Sequence, residues 1–148
     1  MKEFLLFKLG SHSYSLEIEK VQEIVENPAL YFIPSAPPCY CGAMNFHGEI
    51  LPVLDLGVYL GCGDIVSSPR VLVLTPRIAA LALKVETARR IISINPEELQ
   101  PAAENNFEFQ ESTFDLQGEL ISVLDLPGLL HHLQGASATT AQLNFSKD

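Results

Sequence analysis

The stretch Gly48-Glu49-Ile50-Leu51-Pro52-Val53-Leu54-Asp55-Leu56-Gly57-Val58-Tyr59-Leu60 recurs 70 residues later as Gly118-Glu119-Leu120-Ile121-Ser122-Val123-Leu124-Asp125-Leu126-Pro127-Gly128-Leu129-Leu130. A fainter pair precedes it. Leu5-Leu6-Phe7-Lys8, Tyr14-Ser15-Leu16-Glu17-Ile18-Glu19 and Ile24-Val25 parallel Leu72-Val73-Leu74-Thr75, Leu81-Ala82-Leu83-Lys84-Val85-Glu86 and Ile91-Ile92, here at an offset of 67. Both pairs run in the same order, so each half carries the same parts. Two copies are too few for a solenoid, which needs three or more to bury a core. A pseudo-twofold pair of similar subdomains follows.

Within a copy the periodicity is that of strands. Phe4 to Leu9 reads as a strand and Gly10-Ser11-His12-Ser13 as a hairpin turn. Tyr14, Leu16 and Ile18 alternate with Ser15, Glu17 and Glu19, as in a strand with one wet face. Over Glu19 to Val25, the residues Val21, Ile24 and Val25 stand at helical spacing, which predicts one or two helical turns stopped by Asn27-Pro28. Pro34-Ser35-Ala36-Pro37-Pro38 is a stiff connector. Gly42 to Phe46 and Glu49 to Leu54 form a hairpin turning at His47-Gly48. Asp55 and Asp125 each follow a strand and precede a short apolar turn, Leu56 to Leu60 and Leu126 to Leu130, which suits both as helix N-caps. The second half adds strands at Val71 to Leu74, Ala79 to Val85 and Arg90 to Ile94, a helical turn or loop at Asn95 to Leu99 and a mobile loop from Pro101 to Asn106. After Leu133 periodicity is lost. The expected division is one domain over residues 1–133 and a flexible tail over 134–148.

Composition narrows the function. The 47% hydrophobic and 18% charged content is that of a globular chain. A net charge of −9 disfavours nucleic acid and anionic membrane as partners. No apolar run reaches membrane-spanning length, and the N-terminus lacks a signal-peptide pattern, so a cytoplasmic location is expected. Cys39, Cys41 and Cys62, an odd number, do not read as a disulfide framework. With His47 they could be forced into a zinc site or a small-ligand sensor, but they lack paired C-x2-C spacing; no metal or cofactor is expected. No nucleophile elbow, phosphate loop or zinc-hydrolase motif is present, and Glu49 and Asp55 stand about 20 Å apart along one strand, too far to act as an acid–base pair. The chain reads as a binding protein and not as an enzyme.

Three segments then carry a family resemblance. Val21-Gln22-Glu23-Ile24, Ile33-Pro34-Ser35-Ala36-Pro37 and the run from Gly42-Ala43-Met44-Asn45-Phe46-His47-Gly48 to Pro52-Val53-Leu54-Asp55-Leu56 resemble the CheW-like family of bacterial chemotaxis proteins, whose patterns read V-x-E-I, I-P-x-A-P and G-x-x-N-x-R-G-x-x-x-P-V-x-D-L. The resemblance extends from about Phe4 to Leu133. It implies a mainly β fold of two five-stranded SH3-like barrels around a shared core, with short helices. It also implies a non-enzymatic adaptor that couples methyl-accepting chemotaxis receptors to the regulatory domain of the histidine kinase CheA. Carried over by position, the partner-binding residues are Val21, Glu23, Ile24, Gly42, Asn45, His47 and Gly48. Two departures stand out. His47 replaces the arginine of the pattern, exchanging a permanent cation for one that depends on protonation. Ala82-Leu83-Lys84-Val85-Glu86-Thr87-Ala88 stands where the family has G-L-x-V-D-x-V. They leave open an alternative within the fold, a divergent regulator of another array or a pilus-type pathway that binds kinase or receptor only.

Overall fold

The computed structural model describes residues 1–63, 68–102 and 109–139. Among these, ten strands are joined through one sheet: β1 Lys2–Leu9, β2 His12–Glu17, β3 Val21–Glu26, β4 Tyr40–Phe46, β5 Glu49–Asp55, β6 Pro69–Leu74, β7 Ala82–Ile94, β8 Gln100–Pro101, β9 Gln110–Leu116 and β10 Glu119–Leu124. Helices α1 Leu56–Tyr59 and α2 Leu126–Thr139 follow β5 and β10. The sheet folds into two small barrels of the SH3 type.

The barrels are not the two halves of the chain. β3, β4 and β5 share the first barrel with β6 and the start of β7, while β1 and β2 share the second with β8, β9, β10 and the end of β7. Each repeat therefore lends strands to both barrels. The register obeys the sequence offsets: Leu5 faces Leu16 and Ile91, as Leu72 faces Leu83 and Ile24. The parallel pairing of Val53 with Ala82 likewise matches that of Val123 with Ser15.

Alternation along the strands divides the apolar side chains among three clusters. Met44, Phe46, Leu51, Val53, Val71, Val73 and Ala82 fill the first barrel. Phe4, Ile94, Phe114, Ile121 and Val123 fill the second. The largest cluster lies between them and draws Leu5, Phe7, Tyr14, Leu16, Leu54, Leu56, Leu72, Leu74, Leu83, Leu124 and Leu129 from both repeats. Burying each such side chain contributes about 1.5–3 kcal/mol, so the shared cluster holds the barrels together.

Four expectations change. Glu19 to Val25 is not helical: a 3-10 turn at Ile18–Lys20 leads into β3. Pairing with β6 shifts register between Val21 and Glu23, and the extra residue, Gln22, puts Val21 and Ile24 against the same cluster. This bulge imitates a helical i, i+3 spacing. The two strands expected at Ala79 to Val85 and Arg90 to Ile94 are one strand of 13 residues, with Thr87 inside it at φ 48°. Helix α2 runs to Thr139, so residues 134–139 are helical where a tail was expected; residues 140–148 lie outside the described residues. Of the loop expected at Pro101 to Asn106, Pro101 belongs to β8, and 103–106 lie outside them too.

Candidate partner-binding surface

The residues singled out around Val21 and around His47 are far apart in sequence and meet at one end of the first barrel. The β4–β5 hairpin turns on His47 and Gly48 at φ 53° and 88°, the paired positive values that suit a two-residue hairpin. Asn45 Oδ1 accepts the Gly48 amide at 2.9 Å and braces the turn. The His47 ring lies against Phe46, centroids 4.3 Å apart, and its Nε2 stands 3.5 Å from Glu23 Oε1 on β3. Both side chains are open to solvent, 73% and 48%, so their pairing contributes little to stability even when the imidazole is charged. Two polar side chains are thereby presented at the barrel end, where Gln22 and Glu49 also border an adjoining pocket. The pocket is shallow, about 90 Å³, and is lined as well by Phe46, Leu51, Leu74, Ala79 and Ala80.

The other residues of the expected set divide by environment. Val21 and Ile24 are half-buried against the central cluster. Gly42 holds φ 144°, and a Cβ there would stand 3.0 Å from the Tyr31 carbonyl oxygen and 3.1 Å from Leu30 Cβ. Its small size lets Tyr31 bridge Ala43, amide to carbonyl at 2.8 and 2.9 Å. Asn45 and Gly48 have counterparts in the second barrel, where Asp115 Oδ1 accepts the Gly118 amide at 2.9 Å and Gln117 and Gly118 repeat the positive φ pair. That turn is a device of the fold. What distinguishes the first barrel's end is Glu23 and His47, which Arg90 and Gln117 replace in the second.

Asp55 and Asp125 sit away from this surface. Each accepts a first-turn amide at 3.1 Å, from Val58 and from Gly128. Asp55 is 5% exposed, and Lys84 Nζ lies 3.8 Å from its Oδ2. The cysteines do not converge on His47. Cys39 packs against the central cluster, Cys41 against the core of the first barrel, and Cys62 Sγ lies 3.6 Å from His12 Nδ1. Burial pushes all three thiols up from their ordinary value. Among the described residues no three or more His, Cys, Asp or Glu side chains are grouped to hold a metal ion, and no helix is long and apolar enough to cross a membrane.

Sequence reasoning missed Pro76, Ala79 and Ala80 at the pocket, whose proximity depends on how β6 turns into β7. It also missed Tyr31, Phe32 and Ile50 as exposed apolar residues. Ile50 carried a signal, for it breaks the alternation of a strand whose neighbours Leu51 and Val53 point inward.

Comparison with known proteins agrees with this architecture. A family model described as CheW-like domain matches residues 3–134. A protein of Rhizobium etli described as probable chemotaxis protein CheW is 23% identical over 143 residues, covering 93% of this chain and 92% of that one. Chemotaxis protein CheW of Klebsiella aerogenes is 29% identical over 105 residues, 70% of this chain and 63% of that one. The crystal structure of the scaffolding protein TtCheW from Thermoanaerobacter tengcongensis superposes with a TM-score of 0.75 at 25% identity, covering 83% of each chain.

Proposed function

The chain belongs to the CheW-like domain family, and on that premise we propose that it couples methyl-accepting receptors to the regulatory domain of the histidine kinase CheA through the end of its first barrel. It is a non-enzymatic adaptor of chemotaxis-type signal transduction. Its work would be done in the cytoplasm, where both partners would present the surfaces it joins.

The observation that carries the choice of surface is the contact between His47 Nε2 and Glu23 Oε1 at 3.5 Å. It unites the V-x-E-I segment with the hairpin turn of the family pattern. A rim of two polar groups around Phe46 and the shallow pocket suits recognition in which apolar anchors supply affinity and charge supplies specificity.

His47, standing where the pattern has arginine, supports a second reading: a regulator of another array or a pilus-type pathway that engages kinase or receptor alone. Calorimetric titration against the CheA regulatory domain and, separately, a receptor cytoplasmic fragment from the same organism tests both. Micromolar binding to each is expected of an adaptor. Binding to one only favours the regulator, and binding to neither overturns both readings.

A further inference from the structure

The end of the second barrel holds a pocket of about 150 Å³. Leu6, Leu116 and Ile121 give it apolar walls, and the exposed cations Lys8 and Arg90 line it as well. Strand pairing explains why two cations meet there. Arg90 lies opposite Leu6, and Lys8 follows Leu6 by two residues, so all three project to one side. Between Leu6 and Lys8 β1 advances two residues while β7 covers four, from Glu86 to Arg90, and Thr87 holds φ 48° within this bulge. A β-branched residue is strained in that conformation, and bulges re-aim side chains.

Both cations are open to a ligand. Among the described residues neither forms an ion pair, whereas Lys2, Arg70 and Lys84 are engaged with Glu17, Glu26 and Asp55. Glu86, opposite Lys8, does not pair with it. Glu119 is the one carboxylate lining the pocket, and it accepts the Ser13 hydroxyl.

The first barrel supplies an internal control. Its pocket keeps the apolar walls, with Val73, Phe46 and Leu51 at the places of Leu6, Leu116 and Ile121, and keeps Glu49 at the place of Glu119. At the places of Lys8 and Arg90 it has Thr75 and Glu23. A barrel of this kind therefore closes without the two cations, and folding does not impose them.

Size and charge identify the occupant. The pocket is well below the roughly 300–1,000 Å³ of small-molecule sites, which suits a single anchoring side chain. The net charge of −9 repels a long polyanion such as nucleic acid, so the anion that meets Lys8 and Arg90 belongs to a short stretch of protein. We propose that the end of the second barrel docks an acidic partner segment, with one apolar side chain in the pocket and its flanking carboxylates on Lys8 and Arg90. This site lies on the other barrel from Glu23 and His47 and would act whichever partner that surface takes.

A capped nine-residue peptide, a central leucine flanked on each side by two aspartates and completed with glycine and serine, tests it by titration into the full ¹⁵N-labelled chain. The expected result is shift changes centred on the amides of Leu6, Lys8, Arg90 and Leu116. Affinity should fall at least about tenfold when asparagine replaces the aspartates, and by a similar factor in the Lys8→Gln/Arg90→Gln double variant. Both positions are exposed, so this variant should keep the dispersed spectrum of the folded chain. Lys20→Gln/Arg77→Gln removes the same charge elsewhere and should bind as the parent does. Absent shift changes or changes centred elsewhere, equal affinity for the asparagine peptide, or an equal loss in both double variants would overturn the proposal.

Discussion

Glu23 and Arg90 occupy equivalent places in the two barrels: Glu23 lies opposite Val73 on β6, and Arg90 lies opposite Leu6 on β1. The pockets beside them are equivalent as well. Leu51 and Phe46 line one, and Ile121 and Leu116, at the same offset, line the other. Two related barrel ends thus carry opposite charges at this one place, which lets electrostatics favour a partner at one end over the other.

The first prediction concerns that charge. Glu23→Arg should weaken binding of the CheA regulatory domain by about tenfold or more, equivalent to about 1.4 kcal/mol. Circular dichroism should be unchanged, because the side chain is 48% exposed. An affinity equal to the parent's, read by calorimetry, would remove Glu23 from the partner surface.

A second prediction follows from the exchange of strands between repeats. A fragment ending at Gly63 lacks β6 and β7 and can complete neither barrel; one beginning at Ser68 lacks β1 to β5. Each should be unfolded alone, and mixing them should restore the native near-ultraviolet spectrum. Independent folding of either fragment would contradict the shared central cluster.

Gly42 should prove intolerant for reasons of backbone. At φ 144°, and with the Tyr31 carbonyl oxygen only 3.0 Å from where an alanine Cβ would sit, Gly42→Ala should cost about 1–2 kcal/mol. Thermal unfolding should fall by roughly 3–6 °C. Hydrogen exchange at the Tyr31 and Ala43 amides should quicken, since those groups form the bridge that the glycine permits.

Alkaline pH provides a fourth test. Burial pushes the Tyr40 hydroxyl up to about 12 from 10.0, with smaller contributions from Cys39 and Tyr59. The unfolded chain releases that proton first, so between these values the folded state binds more protons and stability falls as pH rises. Denaturant titrations across the window should show a shallower decline for Tyr40→Phe than for the parent. Identical slopes would show that Tyr40 titrates alike in both states.

Much of this molecule is legible in its sequence because the repeat is also a register. The offsets of 70 and 67 reappear as matched strand pairings, matched positive-φ turns at His47-Gly48 and Gln117-Gly118, and carboxylates that accept first-turn amides at Asp55 and Asp125. β3 resembles a helix in sequence because periodicity counts residues, while a bulge decides which residues face inward. The end of α2 is hidden because Gly135, Ala136, Ser137 and Ala138 carry no apolar stripe to mark a helix.

The sequence by itself determined the strands, the hairpin turns, the caps and the family pattern, all of which depend on residues close along the chain or on a repeat within it. Only the tertiary structure decided that the repeats exchange strands, that Glu23 meets His47, and that Lys8 and Arg90 line one pocket. Each of these depends on pairings between distant segments, where the burial of a common core selects one arrangement that local preference leaves open.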